Sequence, residues 1–133
     1  MYNVLLVDDS SIDITLIKDI LESSIPFEKK INAFTNSEDA KAFYLTNKID
    51  LIVTDLEMPD VDGFDLINCI KNGGGEEVIA VSGSPMKEGS AKTILYTANV
   101  CGADYIVSKT NLYEDLSKVL TKICIERSES TVH

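Results

Sequence analysis

The chain has 133 residues, 44% of them hydrophobic and 26% charged, with a formal net charge of -10. That length makes one domain large enough to bury most of the surface its unfolded form exposes, and no apolar stretch nears the ~18 residues of a membrane span. The excess of acids argues against direct nucleic-acid binding, which needs clustered Lys and Arg, and favours a protein partner with a basic patch.

Val4-Leu5-Leu6-Val7 is a wholly apolar run of strand length that stops at Asp8 and Asp9. Ile12, Leu16, Ile17, Ile20 and Leu21 then follow helical spacing and predict a core-facing helix, with Ser10 or Ser11 as N-cap. A second strand covers Ile31 to Phe34. Thr35-Asn36-Ser37-Glu38 has the form of a capping box and opens a helix through Ala40, Phe43 and Tyr44 that ends near Asn47. Leu51-Ile52-Val53-Thr54 is a third strand, and it stops at Asp55. Gly63 to Lys71 reads as a short helix closed by Gly73-Gly74-Gly75, a triplet too flexible to continue it.

Val78 to Ser82 is the fourth strand, and Lys87 to Asn99 carries Ala91, Ile94, Leu95 and Ala98 on one helical face. Tyr105 to Ser108 is the fifth strand. Leu112, Leu116, Val119, Leu120 and Ile123 mark the last helix, and the period is lost from Arg127. The reading is one domain over residues 1–126 and a flexible tail over 127–133. Strict strand–helix alternation, with strands apolar on both faces, predicts a doubly wound five-stranded parallel α/β sandwich.

Cys69, Cys101 and Cys124 are odd in number, widely spaced and flanked by apolar residues, which reads as buried thiols. The one histidine, His133, is the last residue, so a catalytic imidazole inside the domain is excluded. The first acid comes at Asp8, with no basic segment or long apolar core before it, so a cytoplasmic location is expected.

In an open parallel sheet, functional groups gather beyond the carboxyl ends of the strands. Asp8, Asp9 and Asp55 would meet there, and two full charges 4 Å apart repel by on the order of 4 kcal/mol at an effective dielectric near 20. A positive group is therefore expected. Such acids suit Mg²⁺, a hard cation that takes oxygen ligands, and a carboxylate beside it can attack phosphorus to give an aspartyl phosphate. Asp55 is best placed for that role. Ser82 and Lys109, at the ends of the fourth and fifth strands, supply a hydroxyl and an ammonium where a phosphoryl group would need them.

Asp8-Asp9, then Asp55-Leu56-Glu57-Met58-Pro59-Asp60-Val61-Asp62-Gly63, Ser82-Gly83 and Lys109, in that order at strand ends, resemble the receiver domain of bacterial two-component response regulators. The resemblance implies a flavodoxin-like three-layer sandwich with strand order 2-1-3-4-5, acting as a stand-alone switch. It implies Asp55 as phosphoacceptor, Asp9 as a direct Mg²⁺ ligand, Asp8 as a looser ligand through water, and the backbone carbonyl of Glu57 as a further ligand. Ser82 would hydrogen-bond the phosphoryl oxygen and Lys109 would pair with it. The donor would be a phosphohistidine on a sensor histidine kinase or a histidine phosphotransfer protein, and the output would be contact with a downstream protein. The chain would then be no enzyme beyond assisting its own phosphorylation and dephosphorylation.

The chain departs from the family pattern in three respects. Lys109 is followed by Thr110 where the family has Pro, the family's switch aromatic falls on Ile106 with Tyr105 one position early, and Glu57 and Ser84 occupy positions that tune phosphoryl hydrolysis. Two other readings compete: a receiver-like scaffold that is never phosphorylated, and a Mg²⁺-dependent phosphatase with Asp55 as nucleophile and Glu57 as acid/base. The phosphatase would need a substrate cap and more acids on later strands, where this chain has Ser82 and Lys109.

Overall fold

A computed structural model describes residues 1–55, 76–82 and 103–131. Five strands form one sheet: β1 (Tyr2–Val7), β2 (Lys29–Phe34), β3 (Leu51–Asp55), β4 (Glu77–Ser82) and β5 (Tyr105–Ser108). Their order is β2-β1-β3-β4-β5 and every neighbouring pair is parallel. This is the flavodoxin-like, doubly wound arrangement that the sequence led us to expect. The described helices are α1 (Ser11–Ser24), α2 (Ser37–Thr46) and α3 (Leu112–Thr131). The helices expected over 63–71 and 87–99 lie outside the described residues, as do Cys69 and Cys101.

β1, β3 and β4 are buried on both faces because both faces are covered. Val4, Leu6, Leu51, Val53, Ile79, Val81 and Val107 pack on one side against Ile17, Ile20 and Leu21 of α1 and Leu112, Leu116, Leu120 and Ile123 of α3. Leu5, Val7, Ile52, Val78 and Ala80 face the other way, towards Ala40 and Tyr44 of α2. Burying each such Leu or Ile side chain contributes ~1.5–3 kcal/mol.

Local detail differs from the sequence reading at three places. In α1, capped by Ser10, one of the two candidates, Ile12 and Leu16 are 79% and 44% exposed instead of core-facing. At 3.6 residues per turn Ile17, Ile20 and Leu21 share one arc, while Ile12 lies about 130° round the helix from its centre. The cap of α2 is Asn36, one residue later than the capping box suggests. Its side chain accepts the Asp39 N–H at 2.8 Å and donates back to the Asp39 carboxylate at 3.0 Å. Finally, α3 runs past Arg127 to Thr131, with the Arg127 guanidinium 4.7 Å from the ring centre of Tyr2 and 5.8 Å from that of Phe27. Stacking on aromatic faces gives this turn a packing partner that apolar periodicity does not register.

Two acids fix the register at the amino-terminal edge. Asp50, just before β3, accepts the Asn3 N–H at 2.8 Å and donates its own N–H to the Asn3 carbonyl. Asp104, just before β5, does the same with Val78, accepting at 2.8 Å and donating at 2.9 Å. Each clamp starts a parallel ladder with a charge-assisted hydrogen bond.

Candidate phosphoryl and metal site

Register brings the strand-end acids level. Val7 lies opposite Thr54, so Asp8 and Asp55 follow side by side at the carboxyl edge of the sheet. Asp55 pairs with Val81, and Val81 pairs with Val107. Alternation then decides which way each side chain faces. Asp8 continues the set of Val4 and Leu6, Asp55 that of Leu51 and Val53, and Lys109 that of Tyr105 and Val107, all on the side covered by α1 and α3. Ser82 shares the parity of Val78 and Ala80 and belongs to the opposite face.

The carboxylates of Asp8, Asp9 and Asp55 each present an oxygen within 4.8 Å of the others. Asp8 and Asp55 are buried, at 0% and 3% exposure, whereas Asp9 is exposed. The expected positive group is Lys109. Its Nζ donates to Asp55 Oδ2 at 3.3 Å and lies 2.9 Å from Asp8 Oδ2. It also donates at 2.8 Å to Asp13 Oδ2, an acid from the first turn of α1 that sequence reasoning did not single out. The available signal was Ser10-x-x-Asp13, which reads as an ordinary helix start.

Asp8 is poorly served for a buried carboxylate. Its Oδ1 accepts the Ser10 N–H at 2.9 Å, but among the described residues no donor meets Oδ2 in hydrogen-bond geometry. Lys109 is close enough to Oδ2 for an ion pair, yet approaches at the wrong angle for a hydrogen bond. Burial raises the Asp8 pKa above the usual carboxylate value, against the lowering effect of Lys109 and of the Ser10 N–H. For Lys109, burial alone would lower the pKa. Its hydrogen bond to Asp13, its close approach to the Asp8 carboxylate and the charge of Asp55 outweigh that and hold the ammonium protonated. A buried, underused carboxylate oxygen beside two more hard oxygen donors fits Mg²⁺.

The family profile of the response regulator receiver domain matches residues 4–121. The chain belongs to this family. As a receiver domain it is 35% identical over 91 residues to a protein-glutamate methylesterase/protein-glutamine glutaminase of Thermotoga maritima, a match covering 68% of this chain and 26% of that protein. It is similar to the crystal structure of the response regulator domain of Thermotoga maritima CheB, with TM-score 0.72, 29% identity and 95% of each chain covered. The same fold occurs in the receiver domain of the Saccharomyces cerevisiae response regulator Ssk1, solved with the histidine phosphotransfer protein Ypd1. Here the TM-score is 0.73 at 20% identity, covering 90% of this chain and 86% of that one. The chain spans less than a third of the length of the curated relatives it matches.

Two departures from the receiver pattern take physical form here. The Thr110 N–H, which a proline would lack, donates to Ser108 Oγ at 3.1 Å and starts a single 3-10 turn over Lys109–Asn111. That bond fixes the chain immediately around Lys109. β5 does not slip: Ala80 lies opposite Ile106, which packs on the α2 side. Tyr105 lies on the α3 side, with the Lys122 ammonium 5.4 Å from its ring centre. The aromatic therefore stays on the face opposite Ile106. Glu57, Met58, Pro59, Gly63, Gly83 and Ser84 lie outside the described residues.

Proposed function

We propose that this receiver domain is a phosphorylation switch in which Asp55 accepts a phosphoryl group from a phosphohistidine on a histidine kinase or phosphotransfer protein. The observation that carries this reading is the meeting of the Asp8, Asp9 and Asp55 carboxylates within 4.8 Å, with Lys109 Nζ 3.3 Å from Asp55. Asp9 and Asp55 would hold Mg²⁺ directly, Asp8 through water, and the Glu57 carbonyl would add a ligand. The bound metal would neutralise charge on the incoming phosphoryl oxygens.

An Asp55 carboxylate oxygen forms the new O–P bond as the donor's N–P bond breaks, and the imidazole leaves. Burial of Asp55 limits water at the reacting centre. Lys109 is already within reach of the acceptor and would pair with a phosphoryl oxygen, while the Ser82 hydroxyl would take another. Drawing Ser82 and the chain after it towards that oxygen would alter the neighbouring surface and so the choice of downstream protein. The exposed Ile12 and Leu16, on the helix whose first turn carries Asp13, would offer an apolar patch for the phosphoryl donor. The yeast receiver solved with a phosphotransfer protein supports a partner of that kind.

Beryllofluoride, a mimic of the bound phosphoryl group, tests the reading. Binding should require Mg²⁺ and disappear in Asp55→Asn. Binding without the metal, or undiminished in the variant, would overturn it, and incubation with acetyl phosphate should add one phosphoryl mass to wild type alone.

A further inference from the structure

The acid that the phosphoryl reading leaves unused is Asp13. It is the third residue of α1 after the Ser10 cap, where an acid usually has one of two duties. It can reach back to the cap N–H, or it can simply offset the positive end of the helix dipole. The first duty is already taken, because the Ser10 N–H goes to Asp8 Oδ1 at 2.9 Å. Asp13 contributes its own N–H to Ser10 Oγ at 3.3 Å, and its carboxylate turns instead to Lys109 Nζ at 2.8 Å.

Lys109 thus stands among three carboxylates. Two of them, Asp8 and Asp55, belong to the group that can surround a cation, and the third, Asp13, does not. The ammonium lies 2.8 Å from Asp13 Oδ2, 2.9 Å from Asp8 Oδ2 and 3.3 Å from Asp55 Oδ2. A divalent cation drawn to the last two carboxylates meets a positive charge already there, and one of the two must yield. Lys109 is the mobile partner, with a long stem and three donor protons. Asp13 is the least buried of its three acids, at 30% exposure against 0% and 3%. It therefore marks the outward side of the ammonium's range.

We propose that Asp13 is a positioning residue that retains the Lys109 ammonium as Mg²⁺ enters and takes over its pairing from Asp8 and Asp55, and so strengthens metal binding without touching the metal. The proposal rests on the Mg²⁺ site of the preceding subsection. Without Asp13 the ammonium would have, among the described residues, only Asp8 and Asp55 to pair with and would compete with the metal for both. A plain helix-dipole role predicts something different, since that effect does not depend on Lys109.

A double-mutant cycle read by calorimetric Mg²⁺ titration separates the two. The proteins are wild type, Asp13→Asn, Lys109→Met and the double variant, with Lys109→Gln as a second background for the same comparison. In the wild-type background Asp13→Asn should weaken Mg²⁺ binding roughly three- to tenfold, the scale of coupling within one ion-pair network. With Lys109 replaced, the same change should cost no more than about twofold, the scale of a unit charge acting across water. An equal loss in both backgrounds, or no loss in the wild-type background, overturns the role given to Asp13. Failure of wild type itself to bind Mg²⁺ would overturn the metal site and this inference together, a result distinct from either of those.

Discussion

Replacing Asp8 with asparagine should make the metal-free protein more stable. At an effective dielectric near 20, the repulsion between Asp8 and Asp55, whose oxygens lie within 4.8 Å, is about 3 kcal/mol. Attraction to Lys109 at 2.9 Å is about 6 kcal/mol on the same scale. The exposed Asp9 adds a further repulsion, screened to about 1–2 kcal/mol. Charge–charge effects therefore nearly cancel, and burial decides the sign. Asp8 is fully buried and its Oδ2 lacks a well-formed hydrogen bond, which costs about 1–3 kcal/mol. Asparagine removes the charge, and its side-chain oxygen can still accept the Ser10 N–H.

The expected gain is about 1–3 kcal/mol, or about 3–10 °C in Tm for a chain of this length. Urea unfolding in EDTA, followed by far-UV circular dichroism, measures it. The pH dependence has a definite sign. Because the folded pKa of Asp8 lies above 3.8, its contribution to stability is complete below pH 3.8 and is lost as pH rises through the folded value. The gap between variant and wild type should therefore be small in acid and full near neutrality. Saturating Mg²⁺ should close or reverse it, since a ligand at a hundredfold its Kd stabilises wild type by about 2.7 kcal/mol. A variant less stable than wild type in EDTA at neutral pH would refute the reasoning, because pairing with Lys109 would then outweigh burial.

Two more outcomes follow from groups away from the pocket. Asp104→Ala removes the acceptor of the Val78 N–H and should lower stability by about 1–3 kcal/mol while speeding hydrogen exchange at Val78; unchanged protection there would count against the clamp. Burial raises the Cys124 thiol above its usual 9.0, against the lowering effect of Arg127 and Lys29. In a Cys69→Ser, Cys101→Ser background it should resist Ellman's reagent at pH 8 until the protein unfolds. Its share of stability should be complete below pH 9 and be lost as pH climbs through the raised folded value, so prompt labelling of native protein would contradict its burial.

That Asp8, Asp9, Asp55 and Lys109 meet was legible in the sequence because each stands where an apolar run ends, whereas Ser82 ends its run on the opposite face. That placement depends only on strand length and the composition of the run. The two-sided burial of β1, β3 and β4 was legible for the same reason: a strand apolar at every position must be covered on both faces. The cap of α2 and the exposure of Ile12 and Leu16 were not. Several polar residues in a row can all cap a helix, and which arc of α1 meets the sheet is set by packing against strands distant in the chain.

The sequence by itself determined the sheet, its parallel winding and the acids along one edge, because periodicity and strand ends are local properties of the chain. Only the tertiary structure decided that Lys109 is shared with Asp13, 96 positions away. It also decided that Asp8 is buried with one oxygen underused, and that Tyr105 and Ile106 face opposite sides. Those facts depend on strand register and on where α1 docks, and long-range packing fixes both.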